Sequence, residues 1–112
     1  MEIEVQKHIE LEDGKHSGEI TRVEYREEPF RYTDVFVKVD EAGFEIKYGC
    51  PTILSEKTKL GKLLSKFTEL KPGQKLDPAK VLVGKRVAFV TVTEDTDNGR
   101  FARIADNSIK PL

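Results

Sequence analysis

The chain has 112 residues, 35% of them charged, and a formal net charge of −1, a length that makes one domain with a core of its own. A single cysteine, Cys50, excludes an internal disulfide framework and points to a reducing, cytoplasmic setting. No apolar run approaches a membrane span, and the acidic, alternating start "MEIEVQKHIE" lacks the basic and then apolar layout of a signal peptide.

Asn and Gln are scarce among many charges, a thermophile-like composition. The near-zero net charge hides an asymmetry. Residues 1–54 carry 7 basic and 13 acidic side chains, residues 55–86 carry 9 and 3, and residues 87–112 carry 3 and 4. A polyanion partner therefore has no support from the whole-chain charge and must be argued locally.

Residues 3–11 place Ile3, Val5, Ile9 and Leu11 on one parity, with Lys7 the exception, which predicts a strand. "EDGKHSGE" breaks the pattern with two glycines. "EITRVEYRE" predicts a second strand whose apolar parity slips between Ile20 and Val23, the mark of a bulge or bend. "EPFRY" is a loop. "TDVFVKV" alternates with Val35, Val37 and Val39 on one face, "DEAG" is a short hairpin connection, and "FEIKY" alternates with Phe44, Ile46 and Tyr48.

The period then changes. Leu60, Leu63, Leu64, Phe67 and Leu70 line one face of an amphipathic helix over 56–69, with Ser55 as N-cap and Pro72-Gly73 as stop. "KPGQKLDPAK" reads as a loop. "VGKRVAFVTVTED" is a long strand with apolar residues on both parities, "TDNG" is a hairpin turn, and "RFARIA" is the last strand.

Three meandering strands, a helix and a hairpin follow the order of the OB-fold, a five-stranded Greek-key barrel. The expected architecture is therefore all-β with one helix. It is a single OB-like domain over 1–112, with an N-terminal strand extension at 1–17 and the barrel core at 18–112.

Within "RYTDVFVKVD" the even positions raise a question, because Phe36 falls among charges. With "DEAG" as a four-residue loop, Val37 faces Ile46 and Val35 faces Tyr48, all inward. Phe36 then faces Lys47 and Lys38 faces Glu45, all outward. In OB-folds this strand pair and the flanking loops form the usual oligonucleotide surface. A ring beside cations suits single-stranded nucleic acid, since the ring stacks on a base and the cations meet phosphates. The first flanking loop offers Phe30, Arg31 and Tyr32, the second leads into Arg100 and Phe101, and Arg22 comes from the strand before. A structural placement stands beside this one: Phe36 packs under the N-terminal strand or in a dimer interface, and Tyr32 and Phe101 join the core. The acids Glu27, Glu28, Asp95 and Asp97 share the loops and oppose a polyanion.

Other constellations carry less. Lys59, Lys62 and Lys66 lie opposite the leucine stripe and read as a solvated face rather than a phosphate track. Gly61-Lys62 lacks the spacing of a phosphate loop. His8, His16 and Cys50 form no metal spacing, so no metal or cofactor is expected. Cys50, before Pro51 at a strand end, reads as a small core residue. No nucleophile elbow, paired catalytic carboxylates or dinucleotide turn is present, so the expectation is a protein that is not an enzyme.

From "GEITRVEY" to the end, through "YGCPTILSEKTKLGKLLSKF", "VLVGKRVAFVTVTE" and "DNGRFARIADNSIKP", the chain resembles small OB-fold single-stranded-DNA-binding proteins of phage and archaeal type. The "KLGKLLSKF" helix followed by "LVGKRV" carries most of the likeness. The resemblance implies single-stranded DNA binding without sequence specificity. The acidic first half and the extra N-terminal strand depart from that pattern. They keep a second class open, a protein-interaction or assembly module on the same barrel, with strand 3–11 adding to a sheet edge of a protein partner or of a second copy.

Overall fold

The computed structural model describes residues 1–3 and 11–112. The expected N-terminal strand falls almost wholly on residues 4–10, outside the described residues. At its two ends Ile3 is exposed and Leu11 is buried in the core. Eight elements follow in chain order: β1 (Gly14–Arg26), β2 (Tyr32–Val39), β3 (Glu45–Pro51), α1 (Lys59–Leu64), α2 (Pro78–Leu82), β4 (Arg86–Thr96), β5 (Gly99–Ile104) and β6 (Lys110–Pro111). Every ladder is antiparallel, along the path β3-β2-β1-β4-β5, and β6 pairs with the start of β4. The two ends of the path, β3 and β5, approach one another without a hydrogen-bonded ladder, so among the described residues the six-stranded sheet is open. Among those residues, no helix is long and apolar enough to cross a membrane.

The β2–β3 hairpin has the register its loop length dictates: Val35 opposite Tyr48, Phe36 opposite Lys47, Val37 opposite Ile46, Lys38 opposite Glu45. Val35, Val37, Val39, Ile46, Tyr48 and Cys50 are buried on one face, because a period of two sends alternate side chains to the same side. Cys50 is a core residue, and burial pushes its thiol up to about 11. The parity slip in β1 is a bulge between Ile20 and Arg22. Ile20 faces the core, Thr21 is absorbed by the irregularity, and Arg22 is turned to the outer face.

The second strand starts earlier than the sequence suggested, inside "EDGKHSGE". β1 begins at Gly14 and Gly18 lies inside it. The reason is close packing: a Cβ on Gly18 would stand 2.3 Å from the Lys38 carbonyl oxygen and 2.9 Å from Val37 Cγ1. Glycine lets β1 pair there with β2 and β4 at once, a close backbone approach rather than a breaker.

The helix is shorter than its apolar period. Thr58, not Ser55, caps it, its hydroxyl accepting from the Gly61 N–H at 3.1 Å. Beyond Leu64 the chain tightens into turns, with Lys66 N–H to Leu63 O and Phe67 N–H to Leu64 O. The stretch read as a loop runs into the start of α2, where the Asp77 side chain accepts from Ala79 N–H at 3.0 Å and Pro78 occupies the first turn. Leu60, Leu63 and Leu64 from α1 and Leu82 from α2 join Val87 and Phe89 of β4, Ile104 of β5 and Ile109 in one core.

The expected lysine stripe is not simply solvated. Lys59 pairs with Asp106 at 3.1 Å and lies 4.3 Å from the Tyr48 ring centroid. The Lys66 ammonium donates to the carbonyls of Asn107, at 2.9 Å, and Ile109. Lys59 ties α1, and Lys66 the turn after it, to the segment that follows β5, and Lys62 alone of the three is exposed.

His16 makes a second tie. Its ring is almost fully covered beside Phe89, with Nδ1 on the Glu41 carboxylate and Nε2 2.6 Å from the Glu12 carbonyl oxygen. Both partners are acceptors, so both ring nitrogens must carry protons to satisfy them. Burial pushes the pKa down, but the Glu12 carbonyl and the Glu41 carboxylate outweigh it, and the net shift is upward. A raised histidine stabilises the fold fully below its unfolded value, 6.5, and that contribution is lost as pH rises through the folded value. Urea unfolding is therefore expected to give lower stability at pH 8 than at pH 6, and His16→Gln is expected to flatten this difference. Equal pH dependence in the two proteins would show that His16 ties nothing.

Candidate nucleic-acid interface

The bulge in β1 is what assembles the candidate site. It sets Arg22 opposite Phe36, which in turn lies opposite Lys47, so three strands contribute one row across the outer face. The Arg22 guanidinium lies 3.7 Å from the Phe36 ring centroid. Phe36 is half-buried and outside the core cluster, as its parity required. The hydroxyl of the bulged Thr21 lies within hydrogen-bond reach of the Phe36 carbonyl, at 3.4 Å, and of the Glu45 carboxylate, and donates its one proton between them.

A second row repeats the arrangement. Arg26 is paired with Tyr32 in register and its guanidinium lies 4.9 Å from that ring centroid. Between the rows sits Asp34, only 2% exposed. It accepts from Arg26 Nε at 2.6 Å and from a terminal Arg26 nitrogen at 3.1 Å. Tyr32 and Phe36 are four residues apart on one strand face, about 13 Å at ~3.3 Å per residue. Neither Arg26 nor Asp34 was singled out in the sequence. The signal was present, because the parity slip that moves Arg22 outward also moves Arg26 outward, beside an aspartate on the outer parity of β2.

The other residues expected at the site distribute as follows. Phe30 is 71% exposed in the β1–β2 loop, and Arg31 is exposed and accepts at its carbonyl from Thr52 N–H at 3.1 Å, so both lead into the Tyr32 row. Lys38 lies one row beyond Phe36, between Glu19 and Glu45. Phe101 is 54% exposed, not core, and Arg100 pairs with Asp95 at 2.7 Å. These last two are brought to Lys47 by an open groove of about 710 Å³ between β3 and β5, whose walls include Phe44, Lys47, Thr93, Arg100 and Phe101. The stripe therefore runs from Tyr32 through Phe36 and Lys47 to Phe101.

Its charges nearly cancel. Outward on these three strands are Arg22, Arg26, Lys38 and Lys47, against Glu19, Glu24, Asp34 and Glu45. Arg26 is committed to Asp34, and Arg22 to Glu24 and to Glu45 at 3.3 Å. The Thr21 hydroxyl, then the charges of Arg22 and Lys38, hold the Glu45 carboxyl below its ordinary value. Among the described residues Lys38 and Lys47 make no ion pair. The face thus offers two guanidinium-covered rings and two available cations on a hydrogen-bonded sheet, without excess positive charge. The sequence matches no protein-family model and no curated protein.

Proposed function

We propose that this chain is an OB-like barrel, without catalytic activity, that binds single-stranded nucleic acid, DNA in the first instance, without sequence preference. The strand path β3-β2-β1-β4-β5, the approach of β3 to β5 and the position of α1, with the short α2, between β3 and β4 support the barrel. The observation that carries the functional reading is the row Arg22–Phe36–Lys47. A base stacks on the Phe36 ring where Arg22 leaves it open and on the guanidinium plane where it does not. Phosphates then reach Lys38 and Lys47. Stacking is tolerant of sequence because every base has a π-face.

The cancelling charges make a quantitative prediction. Each phosphate neutralised contributes about −0.7 to the slope of log K against log salt for single strands. Lys38 and Lys47 together give about −1.4, and an Arg22 released from Glu45 brings the total to about −2. Anisotropy of a labelled oligonucleotide at several salt concentrations is expected to give weak to moderate binding with that shallow slope. The same charge balance favours the second reading, a protein-interaction module on the same barrel. Absence of binding even at low salt would select it.

A further inference from the structure

Asp34 stands on the outward parity of β2, among residues that face water, yet it is only 2% exposed. Its partner in the β2–β3 ladder is Gly49, and that glycine leaves the room the carboxylate fills. A Cβ on Gly49 would stand 3.1 Å from Asp34 Oδ1 and 3.4 Å from Cδ2 of the Tyr32 ring. Arg26 of β1 closes the pocket, so three strands build it. An ion pair with a buried acid adds little stability, because desolvation of the acid offsets much of the attraction. What the pair does is hold a guanidinium still. Arg26 gives Asp34 its Nε at 2.6 Å and a terminal nitrogen at 3.1 Å, a bidentate contact along one edge. The Tyr32 ring, its centroid 4.9 Å away, fixes the guanidinium a second time. The outer edge is left over: parallel N–H donors from both terminal nitrogens, on a side chain 40% exposed. Arg22, by contrast, commits Nε to Glu45 and a terminal nitrogen to Glu24.

The charge beside that fork decides what it takes. Asp34 neutralises Arg26, and Glu24, opposite Asp34 in the ladder, pairs with Arg22. A phosphate arriving at Arg26 meets a cancelled charge and two carboxylates. An uncharged pair of acceptors loses nothing to them. We propose that Arg26, positioned by Asp34, reads guanine in a single strand by donating to its O6 and N7 atoms. Those two acceptors match a guanidinium fork, and the base they belong to then lies beside Tyr32. Adenine puts an amino donor where guanine has O6, and thymine has no adjacent pair of acceptors. Cytosine has such a pair in N3 and O2, on a single ring that covers less of Tyr32. The inference rests on the nucleic-acid reading and adds to it: the Phe36 row stacks any base, and the Tyr32 row discriminates at one nucleotide.

Anisotropy of a short labelled dT oligonucleotide tests this, with the central base left as thymine or replaced by guanine, cytosine or 7-deazaguanine. Guanine is expected to tighten wild-type binding about tenfold over thymine. The 7-deaza base lacks the N7 acceptor and is expected to lose most of that gain. Arg26→Lys keeps a positive charge beside Asp34 but has no fork, and is expected to bind the guanine and thymine strands alike. Asp34→Asn is expected to erase the preference too, although removing an acid should by charge alone favour every strand equally. The readout is a ratio of two affinities in one protein, so a loss of folded protein does not imitate it. A wild type that binds none of the strands sinks the nucleic-acid reading and this inference together. Binding of the dT strand with no gain from guanine, an equal gain from cytosine or the 7-deaza base, or a guanine preference that survives Arg26→Lys overturns this inference alone and leaves the stacking face standing.

Discussion

Phe36→Ala is expected to weaken oligonucleotide binding about tenfold or more while moving the melting temperature by no more than a few degrees. One base–aromatic stack contributes about 1–3 kcal/mol, and every 1.4 kcal/mol is about tenfold in affinity. The ring is half-buried and its main neighbour is the exposed Arg22, so its removal opens no cavity in the core. The adjacent Val37 is fully buried and faces Ile46. Val37→Ala should do the reverse, costing about 1.5–3 kcal/mol of stability and roughly 6 °C or more of melting temperature, with binding intact while the protein is folded. Arg22→Ala provides the intermediate case. It uncovers the ring and removes a cation, so it should flatten the salt slope by about 0.7 while retaining much of the affinity. An unfolded Phe36→Ala, or a well-folded one that binds as before, would sink the stacking assignment.

What could be read in the sequence, and what could not, divides by how far apart the interacting residues lie. The β2–β3 register was legible because "DEAG" fixes the loop length and three valines fix the buried parity. The bulge was legible because Ile20 and Val23 cannot share a face in a regular strand. From these two features alone Phe36, Lys47 and Lys38 fall on one outer surface. The helix ends were less legible: Ser55 and Thr58 compete as caps in one stretch, and only the packing around Gly61 selects Thr58. α2 is five residues long, too short to show a period, although Asp77-Pro78 announces it. The ties of Lys66 and His16 were invisible, because three of their four partners lie 41, 43 and 25 residues away and three of the four are main-chain carbonyls, which no side-chain pattern records. The charge balance of the outer face was hidden for the same reason. Arg22 and Glu45 stand 23 residues apart and meet only when three strands are paired.

Gly61→Ala is the second large effect expected, and its sign runs against helix propensity. An alanine in a helix interior ordinarily stabilises by about 1 kcal/mol over glycine. Here a Cβ on Gly61 would stand 1.6 Å from the Ser55 carbonyl oxygen and 2.6 Å from its carbon. Those are backbone atoms and cannot swing aside. The same carbonyl accepts from the Thr58 N–H at 3.2 Å and from the Thr58 hydroxyl at 2.9 Å, and that hydroxyl caps the Gly61 N–H. Moving the carbonyl therefore dismantles the N-cap of α1, which costs about 1 kcal/mol by itself. The overpacking adds about 1–3 kcal/mol, borne by Leu60, Leu63 and Leu64, which are buried on this turn. A net loss of about 2 kcal/mol or more is expected in urea unfolding. Lys62→Ala, one position along and exposed, is expected to stay within about 0.5 kcal/mol and to leave oligonucleotide binding unchanged. The pair separates the packing role of Gly61 from a phosphate-binding role for Gly61-Lys62. A stabilised Gly61→Ala would refute the first, and a Lys62→Ala that loses binding would restore the second.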